Sequence, residues 1–324
     1  MFYSQINEIK DLMNIYGKER KPFLFAINFE MTEGFFIDNP LEQKNILFRI
    51  KGVKNSSSSN AINKSFHFDY TPIPYSEYKA KFEIVHNNLK KGCSYLTNLT
   101  VKTPINTNLT LEEIFRYSDA PYKLLLPNKF VCFSPERFVK ISGNTISTNP
   151  MKGTIDASIP NAEQIILNDF KETAEHNTIV DLLRNDLSIV ANNVRVNRFR
   201  YIDHIKTNRS DILQVSSEII GQLTNNPNNF GDIIFGMLPA GSISGAPKDA
   251  TINSIKSAEE EARGYYTGIF GYYNRTELDT AVMIRFIEKN NDKYYFRSGG
   301  GITAYSDCES EYKEVLNKIY LPIT

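Results

Sequence analysis

The sequence predicts an α+β protein built on large, mostly antiparallel β-sheets. Three observations carry that prediction. Strand-like runs at 265–273, 280–288 and 294–298 follow one another with no helix between them. Two β-prone runs, Phe138–Ile141 and Thr145–Thr148, flank Gly143-Asn144, which suits a two-residue hairpin loop. The helical stretches do not alternate regularly with strands, as a parallel sheet would require.

The elements follow in chain order. Met1–Lys21 mixes charges throughout and lacks the apolar core of a signal peptide. Phe23-Leu24-Phe25-Ala26-Ile27 is far too short to span a bilayer and reads as a buried strand. Asn55-Ser56-Ser57-Ser58-Ser59-Asn60 reads as an exposed loop. Ser76 can cap a helix whose apolar face is Tyr78, Phe82, Val85 and Leu89, and Gly92 closes it. Tyr95–Val101 is a strand.

In the hairpin, the loop pairs Ser142 with Thr145 and Ile141 with Ile146. Continuing that register sets Glu136 opposite Met151, beside Lys152. Strict pleating would send Glu136 and Lys152 to opposite faces, but Pro150 cannot continue the ladder and should re-aim the chain. The two side chains are expected close together, with their orientation left open. Glu163–Leu187 reads as one helix with Ile179, Leu182 and Leu183 on its apolar face. Gly245-Ala246-Pro247 opens another, from Lys248 to about Ala262. Gly299-Gly300-Gly301 interrupts the late strands, and a last helix covers Cys308–Ile319.

Composition narrows the function classes. With 324 residues, 41% hydrophobic and 23% charged, the chain can bury a large core, which excludes disorder as its main state. Lys and Arg total 37, as do Asp and Glu, so net charge gives no reason to expect nucleic acid or an anionic membrane as partner. Cys93, Cys132 and Cys308 are odd in number and far apart, which disfavours a disulfide framework or a zinc site. A cytoplasmic protein is expected.

Several constellations could carry chemistry. Glu311, Glu314 and Lys318 share one helical stripe, which alone is most simply a solvated face. Three glycines before it can expose successive backbone N–H groups to an anion. Glu175 shares a stripe with Ile179 and Leu182, where a carboxylate is costly unless paired or metal-bound. Asp181, Arg184 and Asp186 read as structural pairs and caps. Lys152 is a turn lysine or, if its amine can be neutral, a nucleophile. Gly241 through Lys248 lacks the ending of an NTP-binding loop, yet a glycine-rich loop at a helix start can hold a carboxylate.

Taken in order, five motifs resemble the chorismate-utilising enzyme family. They are Ser134-Pro135-Glu136-Arg137-Phe138, Pro150-Met151-Lys152-Gly153-Thr154, the block Glu175–Leu187, Gly241–Lys248, and Gly299-Gly300-Gly301-Ile302 with Glu309–Glu314. The likeness runs from about Lys90 to the C-terminus. It implies a single large domain over 1–324, with 1–89 less similar and 90–324 carrying the motifs. It also implies a two-sheet core flanked by helices.

Within the family, anthranilate synthases resemble P-I-A-G-T where aminodeoxychorismate synthases resemble P-I-K-G-T. Lys152 places this chain nearer aminodeoxychorismate synthase component I. What the resemblance implies is a Mg²⁺-dependent reaction of chorismate with ammonia, the ammonia coming from a glutamine amidotransferase subunit. Lys152 would be the nucleophile and Glu136 the acid/base. Glu175 and Glu314 would bind the metal with Glu311 a close third. Tyr266, Arg285, Lys318 and the Gly300-Gly301 backbone would bind carboxylates, with Ser244 contributing at the glycine loop. Anthranilate synthase component I and a non-catalytic chorismate-binding subunit are the alternatives. The chain departs from many relatives at Leu96, where they carry Gln, and at Leu213-Gln214-Val215-Ser216, which lacks their His. It shows no clear L-L-E-S tryptophan-site motif.

Overall fold

The computed structural model describes residues 5–56, 65–205 and 211–323. Residues 57–60 of the predicted serine-rich loop lie outside the described residues. Among the described residues two nine-stranded sheets face one another, and the strand pairings within each are antiparallel. The first sheet runs in the order 151–156, 212–223, 145–148, 137–142, 277–282, 269–273, 23–27, 34–38, with 191–205 also on 212–223. The second runs 245–246, 96–107, 293–302, 286–290, 130–134, 122–126, 47–50, 53–54, with 68–70 on 96–107.

Phe23–Ile27 is buried along its whole length because it lies inside a sheet covered on both faces. Leu24 and Ala26 point to the inter-sheet core, where they meet Phe48, Leu124 and Phe130 of the other sheet. Phe23, Phe25 and Ile27 point outward, under helices Ile6–Lys18, Phe170–Ser188 and Phe230–Met237. On the far side, Tyr78, Phe82, Val85 and Leu89 pack helix Tyr75–Lys90 onto Leu99 and Val101. The expected helix–sheet–sheet–helix layering is present. Among the described residues, no helix is long and apolar enough to cross a membrane.

The hairpin register is as expected, with Ser142 facing Thr145 and Ile141 facing Ile146. Its second strand ends at Thr148, and 151–156 leaves to pair with 212–223, so Glu136 has no cross-strand partner at Met151. Four other expectations are corrected. Helix Tyr75–Lys90 starts one residue before Ser76, at a Pro74 cap with no side-chain bond. The long helix is two, Ala162–Asn168 and Phe170–Ser188, because extended Asp169 accepts the Glu172 N–H and starts the second. The strand that begins near Tyr265 starts at Ile269. The run 280–288 is the end of one strand, Glu277–Val282, and the start of another, Phe286–Asn290, in different sheets.

The three glycines do not interrupt their strand either. Lys293–Ile302 is continuous, with Gly299, Gly300 and Gly301 facing Thr100, Leu99 and Asn98. None of the three takes a positive φ, so the backbone is a strand edge and not an anion-binding turn.

Candidate active site

Two neighbouring strands cross from one sheet to the other at the same level. One crossing is Pro135-Glu136, between strands Phe130–Ser134 and Arg137–Ser142. The other is Met283-Ile284-Arg285, where Arg285 turns the chain with φ 51°. Backbone bonds tie the crossings together: Phe133 N–H donates to the Arg285 carbonyl, and Val282 N–H to that of Glu136. Glu136 and Arg285 thereby enter a cavity of about 450 Å³ from one wall.

Lys152 and Gly153 reach the cavity from the strand paired with 212–223. Met151 faces Ser216 but Thr154 faces Gln214, so one extra residue bulges out between them. Gly153, at φ +84°, supplies the left-handed turn the bulge needs. The bulge brings Lys152 into the same cavity as Glu136, against strict pleating.

Helix Phe170–Ser188 presents Glu172, Glu175 and Thr178 along one side of the cavity. Helix Cys308–Asn317 and its C-cap present Glu314 and Lys318. Gly299, Gly300 and Gly301 form the wall beside them; beyond Arg297 the strand has no neighbour on the side away from 96–101 among the described pairings. Alternate N–H groups there are free to meet a ligand. A β-carbon at Gly300 would stand 3.4 Å from Glu311 Oε2, 3.7 Å from Glu314 Oε1 and 3.8 Å from Lys318 Nζ. Tyr266, 3% exposed, closes the wall, its phenol pushed up to about 12 by burial.

Lysines and carboxylates are interlocked. Lys152 Nζ lies 2.6 Å from Glu175 Oε2, with Lys171 Nζ 3.7 Å from the other oxygen. Lys318 Nζ lies 2.8 Å from Glu314 Oε1 and donates to the Gly299 carbonyl at 2.7 Å. Burial pulls Lys152 down, but the charge and hydrogen bond of Glu175, with Glu314 and Glu172 behind, hold it above the ordinary lysine range. Lys318 goes the other way: burial lowers it despite Glu314. Burial raises Glu136, against the Ser242 hydroxyl and the charges of Arg285, Lys318 and Lys152. Glu311 is raised by burial and by the nearby charges of Glu314 and Glu175, while the Ser306 hydroxyl lowers it.

Of the expected site residues, Lys152, Glu136, Glu175, Glu314, Tyr266, Arg285, Gly300, Gly301 and Lys318 line this one cavity. Glu311 sits just behind it, 4% exposed. Ser244 does not belong there. Gly241–Ser244 is a single helical turn, so the Ser244 N–H and hydroxyl both bond back to the Ala240 carbonyl. Ser242, two residues earlier, lines the cavity and bonds Glu136. That turn is fixed from behind by Asp186, which accepts the Gly241 N–H at 2.8 Å and pairs with Lys248 at 2.9 Å. Arg184 pairs with Asp181 at the surface.

Glu172 was also missed. Its spacing of three from Glu175 on the helix was the available signal. Nothing in the sequence separates Ser242 from Ser244 before the helical phase of the turn is known.

Among the described residues, no three His, Cys, Asp or Glu side chains are gathered closely enough to hold a metal ion as they stand. The donors still suit a hard cation. Glu175 and Glu314 bring oxygen to one cavity, Gly300 leaves the space between helix and strand open, and Mg²⁺ takes few protein carboxylates.

The cavity sets three cations, Lys152, Arg285 and Lys318, beside partly buried carboxylates where the two antiparallel sheets exchange strands, a charge pattern suited to a small anion. Residues 39–324 match the chorismate binding enzyme family, and the chain belongs to it. An "uncharacterized PabA-like protein" of Haemophilus influenzae is 51% identical over 327 residues, covering 100% of this chain and 99% of that one. The anthranilate synthase component 1 of Archaeoglobus fulgidus is 36% identical over 67% of this chain and 52% of its own. The aminodeoxychorismate synthase component 1 of Bacillus subtilis is 31% identical over 76% and 55%. Among solved structures, MenF, the menaquinone-specific isochorismate synthase of Escherichia coli, superposes with a TM-score of 0.76 over 98% of this chain and 82% of its own. At 15% identity that likeness shows the fold alone.

Proposed function

We propose that this chorismate-binding enzyme is an aminodeoxychorismate synthase component I. It would act in the cytoplasm as one catalytic unit over residues 1–324, making 4-amino-4-deoxychorismate for p-aminobenzoate and folate. Ammonia would come from a separate glutamine amidotransferase subunit. The observation that carries this reading is the amine of Lys152, set by a bulge into the cavity that Glu136 enters from the opposite sheet crossing.

Arg285 and Lys318 take the ligand carboxylates. Arg285 suits this because, among the described residues, its guanidinium meets no carboxylate, only the Tyr320 hydroxyl at 3.5 Å. Glu175 and Glu314, with Glu311 beside them, would hold Mg²⁺, which would supply positive charge for the ring carboxylate. Lys152 gives its proton to water and, as the neutral amine, forms a bond to C2 as the C4 hydroxyl departs. Glu136, whose carboxyl burial raises, is the acid that gives that hydroxyl the proton it needs to leave as water. Ammonia then bonds to C4, the C2–nitrogen bond breaks, and Glu136 recovers a proton from the added nitrogen. The sum is chorismate plus ammonia giving aminodeoxychorismate plus water.

Gln214 also lines the cavity, and its amide cannot shuttle a proton as an imidazole can. This supports a reaction that stops before pyruvate is eliminated. The second reading, anthranilate synthase component I, has the Archaeoglobus relative in its favour. Incubation with chorismate, Mg²⁺ and an ammonium salt separates the two. Aminodeoxychorismate is expected; pyruvate with fluorescent anthranilate would replace the first reading by the second. Without ammonia, mass spectrometry should show a chorismate adduct that is lost in Lys152→Ala. Reversible binding without turnover would mark a non-catalytic subunit.

A further inference from the structure

Four glutamates line the cavity, and two of them, Glu175 and Glu314, are each paired with a lysine. Glu175 on its helix is met by Lys152 from the bulge at 2.6 Å. Glu314 on the last helix is met by Lys318, one turn later, at 2.8 Å. Lys318 also holds the Gly299 carbonyl at 2.7 Å. Neither lysine is locked: Lys152 is 32% and Lys318 24% exposed at the side chain, and both open onto the cavity.

A cation entering alone must displace an ammonium group from each carboxylate and leave it unpaired beside the incoming positive charge. A dicarboxylate entering alone must draw the lysines from Glu175 and Glu314 and strand those carboxylates. Either event leaves partly buried charges without the close partner they have now, which opposes the binding of one ligand alone. Entering together, the two ligands exchange partners with the protein and add no net charge to the cavity.

We propose that Lys152 and Lys318 are internal counter-cations of Glu175 and Glu314, so that a divalent cation and a dicarboxylate bind with strong positive cooperativity. The inference rests on the reading of this cavity as a cation-and-dicarboxylate site. Its distinctive consequence is that removing a lysine should tighten metal binding while it abolishes turnover.

The test measures Mn²⁺ binding by electron paramagnetic resonance on the full chain, with and without 3-(carboxymethoxy)benzoate as a non-reacting dicarboxylate. Wild type should bind Mn²⁺ at least about tenfold more tightly with the dicarboxylate, and by linkage Mn²⁺ should tighten the dicarboxylate equally. Lys152→Met and Lys318→Met should each bind Mn²⁺ about tenfold more tightly than wild type without the dicarboxylate, and gain less from adding it. Circular dichroism identifies a variant that has not folded, and the other then carries the comparison; the wild-type cooperativity needs neither. Equal Mn²⁺ affinity with and without the dicarboxylate, or no tightening in a folded Lys→Met variant, overturns the proposal and leaves the metal site standing. No Mn²⁺ binding under any condition overturns the metal site itself, and the proposal with it.

Discussion

Two ion pairs in this protein, one behind the cavity wall and one inside it, are built to opposite ends. Arg263 and Glu259 are 1% and 3% exposed at their side chains. The Arg263 guanidinium gives two N–H groups to Glu259, at 2.8 and 2.6 Å, and others to the carbonyls of Ile243 and Asn98, at 2.8 and 2.7 Å. It lies 4.6 Å over the Phe29 ring, and Glu259 also accepts the Thr100 N–H. That fork has no donor to spare. Lys152, by contrast, meets Glu175 alone among the described residues and otherwise faces open cavity. A planar fork fixes its partners, whereas an ammonium is a point charge that can change them. Asn98 and Ile243 both line the cavity, so its walls are held by a charge pair with fixed partners, while the pair that faces into it can change partners.

The largest expected effect breaks the mobile pair. Lys152→Ala should lower kcat with ammonium by about 10⁴-fold, the scale of losing a covalent nucleophile. Glu175 keeps Lys171 at 3.7 Å and partial contact with water, so stability should stay within about 1 kcal/mol. Steady-state kinetics and urea unfolding of the same preparation check both. A parallel fall in stability would make Lys152–Glu175 a framework pair after all. Arg263→Met should do the reverse and destabilise by roughly 3–5 kcal/mol, since it leaves Glu259 charged and buried. A shift in urea unfolding below about 1 kcal/mol would mean that the wall does not depend on this fork.

The sequence shows the cavity's residues more clearly than the backbone that gathers them. Hairpin register and the Tyr78-Phe82-Val85-Leu89 face are legible because each follows from local periodicity. The split of 280–288 is not legible. Ala281-Val282-Met283-Ile284 and Phe286-Ile287 form one apolar run because both sheets bury their strands, and the break at Arg285 has no Gly or Pro to mark it. Gly299 misleads in the other direction. It signals a turn, yet it is there because a β-carbon would come 2.6 Å from the Leu99 carbonyl of the paired strand. The helix break at Asp169 was readable, since Asp followed three residues later by Glu marks a helix start.

A buried cation without a counter-charge sharpens the comparison. Lys123 is 6% exposed and donates to the carbonyls of Phe115 and Ser118, both at 2.6 Å. No carboxylate lies within ion-pair distance of it among the described residues. Burial, helped by the charge of Arg49, lowers it to about 8, against about 10.4 in the unfolded chain. Between those two values the unfolded chain binds more protons, so stability rises with pH across that window. Below about pH 8 both states are protonated and the cost is constant. Lys123→Met should remove the rise, which cannot exceed about 1.4 kcal/mol per pH unit. Urea unfolding from pH 7.5 to 10 would show converging curves if this is right, and parallel ones if the two carbonyls keep Lys123 charged.

The smallest effect asks whether the mobile pair depends on its backbone. Gly153 holds φ +84°, a conformation that costs an L residue about 1–2 kcal/mol. A β-carbon there meets Glu172 Oε2 at 3.1 Å, the movable end of a side chain, so the penalty of Gly153→Ala should be mostly conformational. Asn tolerates left-handed φ better than Ala, so Gly153→Asn should recover part of the stability. Activity discriminates further. If the bulge between Met151 and Thr154 aims Lys152, relaxing it toward regular pleating turns the amine out of the cavity. kcat/KM should then fall about tenfold in Gly153→Ala, since small misplacements of a reacting group are costly, and by less in Gly153→Asn. If stability falls by the expected amount while kcat/KM holds in both variants, the pair with Glu175 positions Lys152, and the bulge only accommodates it.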